Sequence, residues 1–196
     1  MGPFDNDDGD KILTNLKNKY TYNNKNIFWK NGYGNTLVIN DRFNLGGYYP
    51  QVNPDQAVYA LTFIHSNKNR EIETLIGFET PLRANRTYTG MPENGSWDPN
   101  GAWIKINGEK LPGPRWNHPG WKPSRQSGWG SSQDQETPWR KEELYWTREP
   151  AKIALKKGWN KILVKIPYQN NYQNCMFTFI PMNIDGLKFS NSLTRE

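Results

Sequence analysis

The stretch "AKIALKKGWNKILVKIP", residues 151–167, decides the fold. In its second half, Ile162, Val164 and Ile166 share one face of an extended chain. Lys161, Leu163 and Lys165 fall mostly on the other, which is the two-residue period of a β-strand. With "AKIAL" before it and Lys157 and Gly158 supplying a turn signal, the stretch reads as a β-hairpin.

Working outward, the same grammar recurs. "AVYALTFIH" (57–65) alternates Val58, Ala60, Thr62 and Ile64 against Tyr59, Leu61, Phe63 and His65, so both of its faces are expected to be covered. "IETLIGFET" follows after the polar turn "SNKNRE". "AWIKINGEKL" carries Asn107 and Gly108 between short apolar runs, the strongest local hairpin signal in the chain. "CMFTFIP" and "GLKFS" close the series. The only helix expected before residue 113 is short, in "KILTNLKNKY" (11–20), where Ile12, Leu13 and Leu16 share a face. Strands punctuated by Gly, Pro and Asn, almost without helix, predict an all-β fold, an antiparallel β-sandwich. Residues 1–25 read as an N-terminal arm, a short helix or the remnant of an interdomain linker, and residues 26–196 as the sandwich domain.

Composition narrows the function. The 196 residues suit one domain. The apolar share, glycine included, falls somewhat below the ~45–50% of an ordinary domain. Aromatic residues at 14% make up the difference with a few large side chains. The net charge is +6, but lysines and arginines are dispersed among acids, as in "NKNREIE". That is a solvated, mildly basic face rather than a nucleic-acid surface. The single Cys175 excludes an internal disulfide and a multi-cysteine metal site; in "NCMFTFIP" it reads as a small buried hydrophobe. No segment approaches the ~18 apolar residues of a membrane helix.

The acidic run at residues 5–10 fails the calcium-loop template, because Phe4 would occupy the first ligand position and Asn15 the twelfth. It reads as a solvated terminus. Met1-Gly2, without the basic and apolar regions of a signal peptide, reads as an expression start set before an excised segment.

No nucleophile elbow, phosphate-cradling glycine loop or zinc spacing is present. Of two histidines, His65 ends a strand and reads as structural, whereas His118 lies in the turn "WNHPGW". No catalytic residue is assigned. The feature left over is "GPRWNHPGWKPSRQSGWGSSQDQETPWRKEELYW" (113–146), which holds five of the nine tryptophans in a polar segment with neither strand nor helix period. Five half-exposed indoles would exceed the roughly 300–600 Å² apolar patch of a typical monomer. Either the segment folds back to plug the sandwich edge, or the rings meet a sugar or a neighbouring domain. The sequence leaves these open. Trp103 and Trp159 belong to the hairpins and read as core or turn packing.

"IGFETPLRANRTYTGMPENGSWDPNGAWIKINGEKLPGPRW" (76–116), "LYWTREPAKIALKKGWNKILVKIPY" (144–168) and "FTFIPM" (177–182) together resemble the carboxy-terminal β-sandwich of Bacteroidetes β-N-acetylhexosaminidases of glycoside hydrolase family 20. The resemblance spans roughly residues 57–182; single pieces of it also occur in other galactose-binding-like jelly rolls appended to glycosidases. It implies a noncatalytic accessory module of a secreted or periplasmic enzyme, packing beside a separate (β/α)₈ catalytic barrel. In that family catalysis rests on an adjacent Asp-Glu pair, and this chain has no Asp-Glu dipeptide. The resemblance leaves a structural calcium open, matched to no residue here, and implies no other cofactor. If N-acetylhexosamine glycans bind, Trp116, Trp121 and Trp129 are the stacking surfaces, with Arg115, His118 and Arg125 as hydrogen-bond donors. The alternative is a purely architectural module.

Overall fold

The computed structural model describes residues 1–5, 7–40, 47–78, 95–97, 101–113, 150–168 and 175–193. In chain order these form β1 (Phe4–Asp5), α1 (Asp8–Ile12), β2 (Lys19–Tyr22), β3 (Lys25–Phe28), β4 (Thr36–Asn40), β5 (Gln56–Ser66), β6 (Arg70–Gly77), β7 (Trp103–Ile106), β8 (Glu109–Lys110), β9 (Ala151–Leu155), β10 (Gly158–Tyr168), β11 (Cys175–Pro181) and β12 (Leu187–Ser190). The larger sheet runs β1-β5-β10-β7-β8, with β12 also on β5; the smaller runs β4-β11-β6-β9; β2 and β3 pair separately. Every pairing is antiparallel. The chain is all-β and sandwich-like.

The two sheets enclose one core because their apolar stripes face each other. Ile39, Ile72, Ile153 and Phe177 come from the smaller sheet and Val58, Ile104, Ile162 and Val164 from the larger. Burying each such side chain is worth about 1.5–3 kcal/mol. Cys175 lies buried in this core.

The larger sheet is covered on its outer face as well, as the double-sided pattern of residues 57–65 requires. Ala57, Tyr59, Trp103 and Leu163 pack beneath Met1, Phe4, Leu13 and Tyr20, with Ile12, Tyr22, Ile27 and Trp29 at the margin. Residues 1–25, expected as an arm, thus contribute a third layer. α1 comes close because Gly9 has no side chain: a Cβ there would sit 2.3 Å from the Tyr59 ring.

Three local expectations are corrected. Residues 151–167 are not a hairpin: β9 pairs with β6 (Ile153↔Ile72), whereas β10 pairs with β5 and β7 (Ile162↔Thr62 and Ile106). Both stripes are apolar and meet the same core from opposite sides, so the Lys157–Gly158 corner crosses between sheets. Asn160, fully buried, ties that corner. Its amide nitrogen donates to the carbonyls of Lys156 (2.8 Å), Gly158 (3.1 Å) and Ile64 (3.2 Å), and its oxygen accepts from Lys156 N–H (2.9 Å) and Asn107 (2.8 Å).

The second correction is the helix expected over residues 11–20. α1 ends at Ile12, and Lys19 and Tyr20 open β2. Asn23 and Asn24, at φ 47° and 59°, close the β2–β3 hairpin with the left-handed backbone of a type I′ turn. By contrast the Asn107-Gly108 hairpin forms as read, joining β7 to β8 at φ 53° and 95°.

Third, the acidic run is not simply solvated. Asp5 accepts from Gln56 (2.7 Å) and Asn23 (3.1 Å), the Tyr22 hydroxyl lies within 3.0 Å of Asp5 and 2.9 Å of Asp8, and Asp10 accepts from Tyr59 and Trp103. These carboxylates fasten the third layer to the sheet. Among the described residues no helix is long and apolar enough to cross a membrane.

Candidate functional site

Arg115, Trp116, His118, Trp121, Arg125 and Trp129 all lie outside the described residues. The hairpin tryptophans do not. Trp103 is buried on the outer face of the larger sheet, its N–H 3.2 Å from Asp10 and its ring 4.2 Å below the Lys105 ammonium. Trp159 packs edge-on against His65 at 5.2 Å, so both rings do structural work at a strand end.

Two places gather polar side chains. On the outer face of the larger sheet, the Lys165 ammonium, 8% exposed, is paired with Asp7 and lies 3.4 Å from Asp10. The Tyr59 hydroxyl donates to Asp10, and burial, reinforced by Asp10, pushes its pKa up. Lys165 holds the Asp7 carboxyl below its ordinary value. A tyrosine, a lysine and two aspartates could exchange protons, but here every group is spent on another of the set. What the cluster does is clamp α1 to the sheet.

The second place is a half-open cleft of about 450 Å³ between the two sheets. Its origin lies in the edge of β5. β1 pairs with Gln56 and Ala57, Met1 bonds to Tyr59 in both directions, and β12 takes residues 63–66. No described strand pairs with residues 60–62 on this edge, and they line the cleft opposite β4 and β11. The buried floor is Ile39, Val58, Ile162, Val164 and Phe177. Around the mouth stand Trp29, Lys30, Asn31, Asn35, Tyr48, Phe189 and Asn191, with Asn191 donating to Asn31 at 3.1 Å.

Two groups define the chemistry of this cleft. Tyr49 is 8% exposed, yet its hydroxyl has no hydrogen-bond partner among the described residues. Burial pushes its pKa up to about 12, so it stays a protonated donor at neutral pH. The Lys30 ammonium lies 4.3 Å from the Tyr49 ring centre and gives one of its three protons to the Tyr48 carbonyl at 2.7 Å. No aspartate, glutamate or histidine is among the described residues lining the cleft. The arrangement can seat an apolar body and meet an acceptor group with a hydroxyl and a cation.

The sequence reading passed over these residues. Their signal is "WKNGYGN" (29–35) and "GYYP" (47–50), where aromatic side chains stand among glycine, asparagine and proline without a strand period. Among the described residues no cluster of histidine, cysteine and carboxylates has the grouping of a metal site. Compared with known proteins, the chain matches no family model, no curated protein and no solved structure.

Proposed function

We propose that the chain is a noncatalytic accessory domain of a secreted glycoside hydrolase resembling the β-N-acetylhexosaminidases, acting in the periplasm or outside the cell. It is a jelly-roll sandwich of the galactose-binding-like kind that packs beside the catalytic barrel and engages glycan through its tryptophan-bearing segment. The observation supporting this is where that segment sits in the topology. Residues 113–146 lie in the chain between β8 and β9, which among the described strands are the outermost of the larger and the smaller sheet respectively. A span between two sheet edges can present aromatic rings without disturbing either sheet. Of the stretches that carry the resemblance, residues 76–116 include β7 and β8 and residues 144–168 include β9 and β10, the strands that precede and follow this segment in the chain.

In this reading Trp116, Trp121 and Trp129 stack on the C–H faces of N-acetylhexosamine units, while Arg115, His118 and Arg125 donate to their hydroxyls and carbonyls. Calorimetric titration with N-acetylglucosamine oligomers tests it, with saturable binding expected and lost in Trp116→Ala and Trp121→Ala. Silence across these ligands, with loss of parent-enzyme stability on deleting the domain, favours the purely architectural role. Turnover of a nitrophenyl N-acetylglucosaminide by the domain alone would overturn the noncatalytic assignment.

A further inference from the structure

The cleft between the sheets has a chemistry of its own, independent of the glycan reading. At about 450 Å³ it falls within the ~300–1,000 Å³ of small-molecule sites. Its floor is aliphatic and aromatic, supplied by both sheets. A sugar ring buried there would leave most of its hydroxyls unpaired, at about 1–3 kcal/mol each. An apolar body loses nothing of that kind.

The polar groups at the cleft are selective in the opposite sense. The Tyr49 hydroxyl is a buried donor with no acceptor among the described residues, a state that itself costs stability and that a ligand acceptor relieves. The Lys30 ammonium stands over the same ring, and no acidic side chain among the described lining residues neutralises it. A buried donor and, over the same ring at the exposed mouth, a cation with no acidic side chain among the described lining residues are matched by an anionic acceptor. We propose that this cleft binds a small amphipathic carboxylate, with its hydrocarbon body on the floor between the sheets and its head group held by Tyr49 and Lys30.

The test uses the full chain and decanoate at concentrations where it is monomeric, followed by calorimetry, with decanol as the uncharged match. Saturable one-to-one binding is expected for decanoate, with decanol at least tenfold weaker. Tyr49→Phe keeps the ring and removes one hydrogen bond to a charged group, so it should weaken decanoate about tenfold or more. It should leave the denaturation midpoint unchanged or raised, since the lost hydroxyl was unpaired. Lys30→Gln should weaken decanoate similarly and decanol hardly at all. The proposal is overturned if decanoate shows no saturation, if decanol binds equally well, or if both folded variants bind as the parent does. Displacement of decanoate by N-acetylglucosamine oligomers would also overturn it, because the cleft would then be a sugar subsite.

Discussion

Replacing Asp10 with alanine should cost about 3–5 kcal/mol of unfolding free energy, while Asp7→Ala should cost about 1 kcal/mol or less, although both carboxylates contact Lys165. The difference follows from what each leaves behind. Asp7 is 76% exposed, so its removal mostly deletes a solvated ion pair, and Lys165 keeps Asp10 at 3.4 Å. Asp10 is 29% exposed and also accepts from the Tyr59 hydroxyl and the Trp103 indole. Its loss strands two buried donors at about 1–3 kcal/mol each and leaves an 8%-exposed ammonium with one partner. Adding Lys165→Met to Asp10→Ala removes the stranded charge and should recover about 1–3 kcal/mol, a coupling characteristic of residues in one network. Urea denaturation followed by far-UV circular dichroism reads these differences as shifts in midpoint at constant slope. If Asp10→Ala lies within 1 kcal/mol of Asp7→Ala, the clamp described on the outer face does not hold the third layer.

Asn160→Ala removes five hydrogen bonds from a fully buried corner and should cost about 3–5 kcal/mol in the same denaturation assay. Two glycines separate contact from backbone conformation. In Gly9→Ala the new methyl meets the buried Tyr59 ring and should cost about 2–3 kcal/mol, whereas Gly108→Ala meets open space and costs only the left-handed backbone at φ 95°, about 1–2 kcal/mol; thermal melts should rank them in that order. Acid should destabilise the protein through Asp5 and Asp7, held below the ordinary value of 3.8 by hydrogen bonds from Gln56 and Tyr22 and by Lys165 respectively. Because the folded carboxyls bind protons more weakly than the unfolded ones, this stability is fully present above 3.8 and is lost as pH falls through the lower folded values. Denaturation midpoints measured from pH 6 to pH 2 should fall below pH 4, less steeply in Asp5→Asn.

Strand existence was written in short-range pattern; strand partnership was not. Residues 57–65 announced burial on both faces, and Asn107 with Gly108 announced a hairpin, because each signal is complete within ten residues. The Lys157–Gly158 corner looked the same locally. Whether its two strands pair or part depends on β6 and β5, roughly eighty to a hundred residues away. At the N-terminus, Ile12, Leu13 and Leu16 carry the period of a longer helix, but the alternation of Tyr20 and Tyr22 ahead of Asn23 and Asn24 is a strand-and-turn signal, and it prevails from Lys19 onward. β4 was not distinguished either. The cleft is illegible for a different reason: it arises from an interval along the edge of β5 that no described strand fills, and gaps have no residues of their own to read. The six residues named for glycan contact fall outside the described residues.

The register of β5 against β10 carries a consequence for how the chain is made. Eleven residue pairs join Gln56–Ser66 to Gly158–Tyr168, with Thr62 opposite Ile162, so the longest ladder closes over a separation of a hundred positions. β4 waits longer still, since Thr36 pairs with Thr178. Such distant pairing places the domain among slow folders, on the order of milliseconds to seconds. During synthesis, Val58, Tyr59, Phe63 and Ile64 leave the ribosome well before the strand that shields them exists, a wait of several seconds at ~5–20 residues per second. The nascent chain therefore passes through a sticky interval in which chaperone capture competes with aggregation.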